Sequence, residues 1–156
     1  MAETKADIKS GYPLPSYNYR VILGGKDVIG FSEVSGLELE YEPVSYKHGL
    51  SFRTGGKIIP GMRGPIELTM NKGIVKDKDY LSKWISEVYG NPFSLGRKRD
   101  VLVQLCDELG KPVVAWHVKD ALPVKLSAPT FEADSNEVAM ETMELVAHGL
   151  RIDYDP

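Results

Sequence analysis

From Tyr17 onward apolar residues fall repeatedly on alternate positions, and a chain with that period of two must bury one face of several β-strands. Tyr19, Val21 and Leu23 alternate with Asn18, Arg20 and Ile22, up to Gly24-Gly25-Lys26-Asp27, a turn rich in residues that tolerate positive φ. A short second strand is predicted over Val28 to Val34. After Gly36, Leu37, Leu39 and Tyr41 fall on one face while Glu38, Glu40 and Glu42 fall on the other, which predicts a strand apolar on one side and acidic on the other. Pro65 to Asn71 repeats the pattern, with Ile66, Leu68 and Met70 inward and Glu67, Thr69 and Asn71 outward, and it can pair with the acidic strand. Val101 to Cys106 and Val113 to Lys119 are two further strands, joined by the hairpin chemistry of Asp107-Glu108-Leu109-Gly110-Lys111. Leu122 to Leu126 adds a short piece.

A different period marks one helix. Between Lys78 and Tyr89, Leu81, Trp84, Ile85 and Val88 form an i, i+3, i+4, i+7 stripe that Asp77 or Asp79 can cap and Gly90-Asn91-Pro92 ends. Glu137 to Ala147 is the last long element. Its composition suits a helix, but its neighbours favour a sheet partner, and it is read as a strand. Val138 and Met140 then share one parity and Met143, Leu145 and Ala147 the other, so a β-bulge near Glu141-Thr142 is expected to bring all five to one face. The connection from Lys47 to Gly64 is far longer than a common hairpin loop and carries Gly49, Gly55, Gly56, Gly61 and Gly64. Residues 1–16 lack periodicity and read as an N-terminal arm, leaving 17–156 as a single domain.

Composition narrows the function classes. A formal net charge of -3 over 156 residues gives no basic excess for nucleic acid. No stretch approaches the roughly 20 apolar residues of a membrane span, so no membrane insertion is expected. The charged opening from Met1 to Asp7 is not a signal peptide, which predicts synthesis in the cytoplasm. Cys106 is the single cysteine and reads as a small core residue.

Enzyme signatures fail one by one. Gly55-Gly56-Lys57 is not a phosphate loop, because Ser51 stands at the first glycine and Ile58 where Ser or Thr would hold magnesium. His48, His117 and His148 are far apart and have no metal-ligand spacing. There is no Gly-x-Ser-x-Gly elbow, and Glu38, Glu40 and Glu42 look like a solvated strand face rather than an acid–base pair. No catalytic residue, cofactor or metal is expected.

Tyr12-Pro13-Leu14-Pro15, Phe31-Ser32-Glu33-Val34-Ser35-Gly36-Leu37, Leu68-Thr69-Met70-Asn71-Lys72-Gly73-Ile74 and the run from Ser127 to Ala139 resemble the tail tube family of contractile phages. Trp84 matches the aromatic of that family's only helix. The likeness spans nearly the whole chain in order and is nearest to tubes of extracellular contractile injection systems. It implies a mainly β protein with one α-helix, a β-barrel or sandwich with a long extended hairpin, and hexameric rings stacked around a lumen. The implied partners are other copies of the chain, a surrounding sheath, baseplate and terminator or cap proteins, and a toxin or DNA cargo. The implied destination is a phage-tail-like particle that can be released from the cell. Two other readings share parts of this pattern, a secreted ring protein of type VI secretion and a small β-barrel that binds a ligand.

Two sets of candidate residues follow. Glu38, Glu40, Glu42, Glu67, Thr69 and Asn71 lie opposite the apolar faces of their strands and are expected to point into the lumen. Phe31 to Tyr46 carries Glu33, Glu38, Glu40 and Glu42 with no Lys or Arg, whereas the following loop carries Lys47, Arg53, Lys57 and Arg63 with no acid. That segregation predicts that the loop reaches the next ring, its basic residues facing Glu33 or the cluster of Glu132, Asp134 and Glu137.

Overall fold

Alternating apolar positions become one bent antiparallel sheet in the computed structural model, which describes residues 12–50, 55–90 and 98–156. The elements are β1 (Tyr19–Leu23), β2 (Asp27–Ile29), β3 (Glu33–Ser35), β4 (Val44–Tyr46), β5 (Lys57–Ile59), β6 (Ile66–Gly73), α1 (Tyr80–Gly90), β7 (Arg99–Cys106), β8 (Pro112–Ser127), β9 (Met140–Ala147) and β10 (Gly149–Asp153). Eight strands run in the order β2-β1-β7-β8-β9-β6-β3, with β10 also on β8, while β4 and β5 form a separate hairpin.

β8 is the strand that bends the sheet. Its first half pairs with β7 on one side and β10 on the other, and its second half, from Leu122, pairs with β9. Between the halves Asp120 takes φ 54, and the pairing with β9 shifts register between Pro123 and Lys125. Such irregularities turn a strand from one layer into another. The layers enclose one core, in which Val21, Leu23, Val101 and Val118 meet Ile66, Leu68, Met70, Met143 and Leu145. Helix α1 packs on β8 with Leu81 and Trp84 fully buried and Ile85 and Val88 half-buried against the core, as its stripe requires. Asp79 occupies the N-cap, its carbonyl accepting from the Lys83 amide at 2.9 Å. Asn91 and Pro92, expected to stop the helix, lie outside the described residues, as do residues 1–11 of the arm.

Four expectations are corrected. The segment read as one strand over Val28 to Val34 is two: β2 pairs β1 in one layer, Phe31 drops into the core, and β3 pairs β6 in the other. Leu37 to Glu42 is not a strand. Gly36, at φ +93, turns the chain out of β3, and beyond it only scattered contacts run to residues 62–64: Gly64 N donates to Glu40 O at 2.9 Å, and Tyr41 bridges to Arg63. Consequently β6 pairs with β3 and β9 rather than with an acidic strand. Val113–Lys119 and Leu122–Leu126 are one strand.

The bulge expected near Glu141-Thr142 is also absent on the β6 side, because β9 pairs with β6 without a break from Ile66↔Ala147 to Gly73↔Met140. Instead of Val138 and Met140 turning inward, Glu141 does, and it meets the buried Lys72 at 2.8 Å. Val138 is left exposed.

Gly36 also sits where no side chain fits. A Cβ there would lie 1.9 Å from the Glu67 carbonyl oxygen, on top of the cost of positive φ. Gly36→Ala is expected to destabilise the subunit by about 2 to 4 kcal/mol, read as a lowered denaturation midpoint; an unchanged midpoint would show that β3 and β6 separate there without cost.

Candidate assembly surfaces

Because strand side chains alternate, the buried row of β6 forces Glu67, Thr69 and Asn71 onto the opposite face of the β3-β6-β9-β8 layer. Cross-strand register places Asn71 between Glu33 and Thr142, and Thr69 between Ser35 and Glu144, with Ser127 and Lys125 next on β8. The Thr142 hydroxyl donates to Asn71 Oδ1 at 2.6 Å and Asn71 Nδ2 donates to Glu33 Oε2 at 3.1 Å, so this face is polar and laterally tied. Of the candidate lumen residues, Glu67, Thr69 and Asn71 therefore share one ordered face. Glu38, Glu40 and Glu42 lie off it, exposed on the irregular segment after Gly36. Two edges of the layer carry no strand among the described residues: β3 on one side, and the stretch of β8 from Leu122 to Ser127 on the other.

The charged candidates separate to the two ends of that layer. Lys47 follows β4 and Lys57 begins β5, at the loop end of the β4–β5 hairpin, which follows Gly36 and precedes Ile66, and both are exposed. Arg63 is exposed at the base of the hairpin and donates to the His148 carbonyl; Arg53 lies outside the described residues. Glu132, Asp134 and Glu137 are exposed in the 128–139 connection, which leaves β8 at Ser127 beside Thr142 and Asn71, at the far end of β6 from the hairpin. Glu33 sits at that far end too, paired with Asn71.

A third surface was not visible in the sequence. A groove of about 410 Å3 opens beside β3, lined by Tyr19, Val34, Leu37, Val103, Leu105 and Trp116, with Glu33 as its one carboxylate. The Tyr19 hydroxyl donates to the Phe31 carbonyl, and burial, then the Glu33 charge, pushes the Tyr19 phenol up. A raised phenol favours the neutral, donating form in the folded state, so its contribution is complete below the ordinary tyrosine value and is lost as pH climbs through the raised one. Tyr19 and Leu105 continue the inward rows of β1 and β7, but only the fold brings these rows beside β3.

Among the described residues, the histidines and the cysteine lie apart from one another. Among the described residues no group of three or more His, Cys, Asp or Glu could hold a metal ion. His117, on β8, has its Nε2 3.9 Å from Asp153 Oδ2, and Cys106 is buried at the end of β7 beside Arg20. No described helix is long and apolar enough to cross a membrane.

Among the described residues, a bent sheet with a helix packed on it, a projecting hairpin and strand edges beside a polar face have the layout of a structural subunit. The comparisons specify it. Residues 15–151 match the model of the T4-like virus tail tube protein gp19 family, and the chain belongs to that family. It is a tail tube protein of a phage tail or contractile injection system. A chain from the PVC sheath-tube complex of an extracellular contractile injection system, in the extended state, matches with TM-score 0.87 and 27% identity, over 98% of this chain and 99% of that one. A chain from the anti-feeding prophage cap, which terminates the tube, matches at 0.84 with 32% identity over 99% of each. A type six secretion system protein shares the fold at 0.55, with 10% identity over 89% of this chain and 84% of that one. The sequence has no significant match among the curated proteins.

Proposed function

We propose that the chain forms hexameric rings that stack into a hollow inner tube, carried inside a contractile sheath as the conduit for a toxin or DNA cargo. The observation that carries this reading is the β3-β6-β9-β8 layer, whose two free edges lie on opposite sides of one polar face. An unpaired edge is a template for another strand. Pairing β3 of one subunit with residues 122–127 of the next continues the sheet around a ring and turns Glu67, Thr69 and Asn71 toward its centre. Glu38, Glu40 and Glu42 then contribute to the wall near one rim, where repeated carboxylates repel a polyanionic cargo and limit sticking.

Stacking follows from the two ends of the same layer. With the basic hairpin at one end and Glu132, Asp134, Glu137 and Glu33 toward the other, head-to-tail contact brings opposite charges together and opposes self-pairing. The subunit has no catalytic role, and its partners are further copies, the sheath, the baseplate and a terminator or cap. The similar chains come from sheath–tube and cap assemblies, which supports that set and release of the particle outside the cell. The higher identity to those chains, against 10% to the type six protein, favours a tube over a secreted ring.

Electron microscopy of the purified protein tests the reading, with rings or tubes expected; a protein that stays monomeric at every concentration overturns it. Lys47→Glu with Lys57→Glu is expected to leave rings that fail to stack. Long tubes from this variant, no more salt-sensitive than wild type, would remove the electrostatic docking.

A further inference from the structure

We propose that His117 and Asp153 form a proton-operated latch that fastens the C-terminal strand β10 to β8 when the imidazole is charged. The inference goes beyond the tube reading and does not depend on it, because it concerns two strands of one subunit.

β8 is paired on both sides over its first half, and the register fixes what surrounds His117. Leu102 of β7 and Arg151 of β10 lie directly across from it, and Ala115, two residues back on the same face, lies between Gln104 and Asp153. Asp153 is therefore the diagonal neighbour of His117, within side-chain reach. The layer turns this face away from the core, since Val118, of the opposite parity, is a core residue. It is not an open surface, however. Ala115 is fully buried, and Cys106 is buried beside Arg20, whose guanidinium donates to Gln104 Oε1 at 3.1 Å and to the Gly110 carbonyl at 3.4 Å.

In these surroundings His117 Nε2 is enclosed and has no hydrogen-bond partner, with Asp153 Oδ2 3.9 Å away. That separation is too long for a hydrogen bond and short enough for a small side-chain rotation to make one. A neutral imidazole carries one N–H and one lone pair, whereas the charged ring donates from both nitrogens. Protonation thus gives the enclosed Nε2 a proton to donate and makes its bond to the carboxylate a charge-assisted one. The other charges near the ring do not offer this. Arg151 and Lys119 are positive, Asp100 of β7 accepts the Asp120 amide at 3.1 Å, and Arg20 of β1 is held by Gln104 and Gly110.

The other oxygen of Asp153 decides what the latch holds. Asp153 Oδ1 accepts from the Asp155 amide at 3.0 Å, so one carboxylate joins the end of β10 to the turn after it. Among the described residues β10 pairs with β8 alone, and an edge strand with one neighbour opens from its end. A bond from His117 adds a side-chain tie at that end. Only the charged ring makes it, so the tie is present at acid pH and is lost as pH rises through the range in which an imidazole gives up its proton, about pH 5 to 8. In the proposed tube this layer lies on the side away from Glu67, Thr69 and Asn71, so the strand whose hold varies is an outer one.

Hydrogen exchange at the amides of residues 152–155 of the full-length protein reads the latch. At about pH 5.5 these amides are expected to exchange about five- to tenfold more slowly in wild type than in His117→Gln, and at about pH 8 the two should agree within about twofold. Comparing the two proteins at each pH cancels the intrinsic chemistry of exchange. A ratio that does not fall between the two pH values, whatever its size, overturns the proposal, because a merely structural role for His117 carries no such dependence. Should His117→Gln not fold, the wild type decides by nuclear magnetic resonance. The His117 ring and the Asp155 amide are then expected to shift with one midpoint, and an Asp155 amide that does not follow the ring overturns the latch.

Discussion

Trp84→Ala is expected to destabilise the unassembled subunit by about 3 to 5 kcal/mol, lowering its thermal midpoint by roughly 10 °C. Trp84 is fully buried at the centre of the α1 stripe, between the helix and the inward rows of the sheet. Truncation removes the largest fully buried side chain and leaves a cavity between the helix and the sheet that the surrounding core can collapse to fill only in part. It also removes a ring from beneath Arg99, whose guanidinium lies 5.4 Å from the Trp84 ring and 4.9 Å from that of Tyr80 while it binds Glu87 at 3.0 Å. Ser82→Ala, on the exposed side of the same helix, should stay within about 0.5 kcal/mol of wild type. A melt of Trp84→Ala that overlays wild type would show that α1 is not anchored through this residue.

What the sequence made legible was local. β6, β7 and α1 were found within two residues of their bounds because each carries its own period and is buried on the face that period marks. The 107–111 turn was equally readable: Asp107 Oδ1 accepts from the amides of Leu109 and Lys111, both at 2.9 Å, and Gly110 takes φ 80. β8 was split because Pro123 and the Asp120 kink look like breaks. A proline is tolerated there since, among the described residues, that half of β8 has β9 as its only strand neighbour, and a missing amide is harmless toward an edge.

Leu37, Leu39 and Tyr41 were misread for a different reason. Alternation reports that a surface will be covered, not by what, and here Leu39 and Tyr41 remain exposed in the single subunit. The hairpin poses the same problem. Its apolar face is visible only once register pairs Val44 with Ile59, and the groove is visible only once β1, β3, β7 and β8 meet. The candidate lumen residues divide along the same line: Glu67, Thr69 and Asn71 could be placed from the parity of one strand, whereas Glu38, Glu40 and Glu42 depended on a strand that Gly36 interrupts.

Breaking the Lys72–Glu141 pair is expected to cost about as much as losing Trp84, and for an opposite reason. Lys72 continues the inward row of Ile66, Leu68 and Met70, and Glu141 continues that of Ala147, Leu145 and Met143. The two are direct cross-strand partners, joined at 2.8 Å with side chains 6% and 18% exposed, and Lys72 Nζ also donates to the Gly73 carbonyl at 3.3 Å. Lys72→Ala strands a carboxylate in that row and should cost about 3 to 5 kcal/mol. Lys72→Met with Glu141→Leu fills the same space with apolar atoms and should return to within about 1 kcal/mol of wild type, because two desolvated charges cancel much of their own attraction. The cycle of both single variants and the double therefore separates the pair from the packing. The pair also holds the β6–β9 register: a slip by two residues keeps every side chain on its face but sets Lys72 against Met143 and Glu141 against Ile74 in one direction, or Glu141 against Met70 and Lys72 against Ala139 in the other, and either way parts the two charges. Pinning of this kind suits a strand pair that must present Glu67, Thr69 and Asn71 at the same height in every subunit of a ring. If Lys72→Ala unfolds with the wild-type midpoint, Glu141 is solvated through its exposed edge and register is held elsewhere, by the Thr142–Asn71–Glu33 chain on the opposite face.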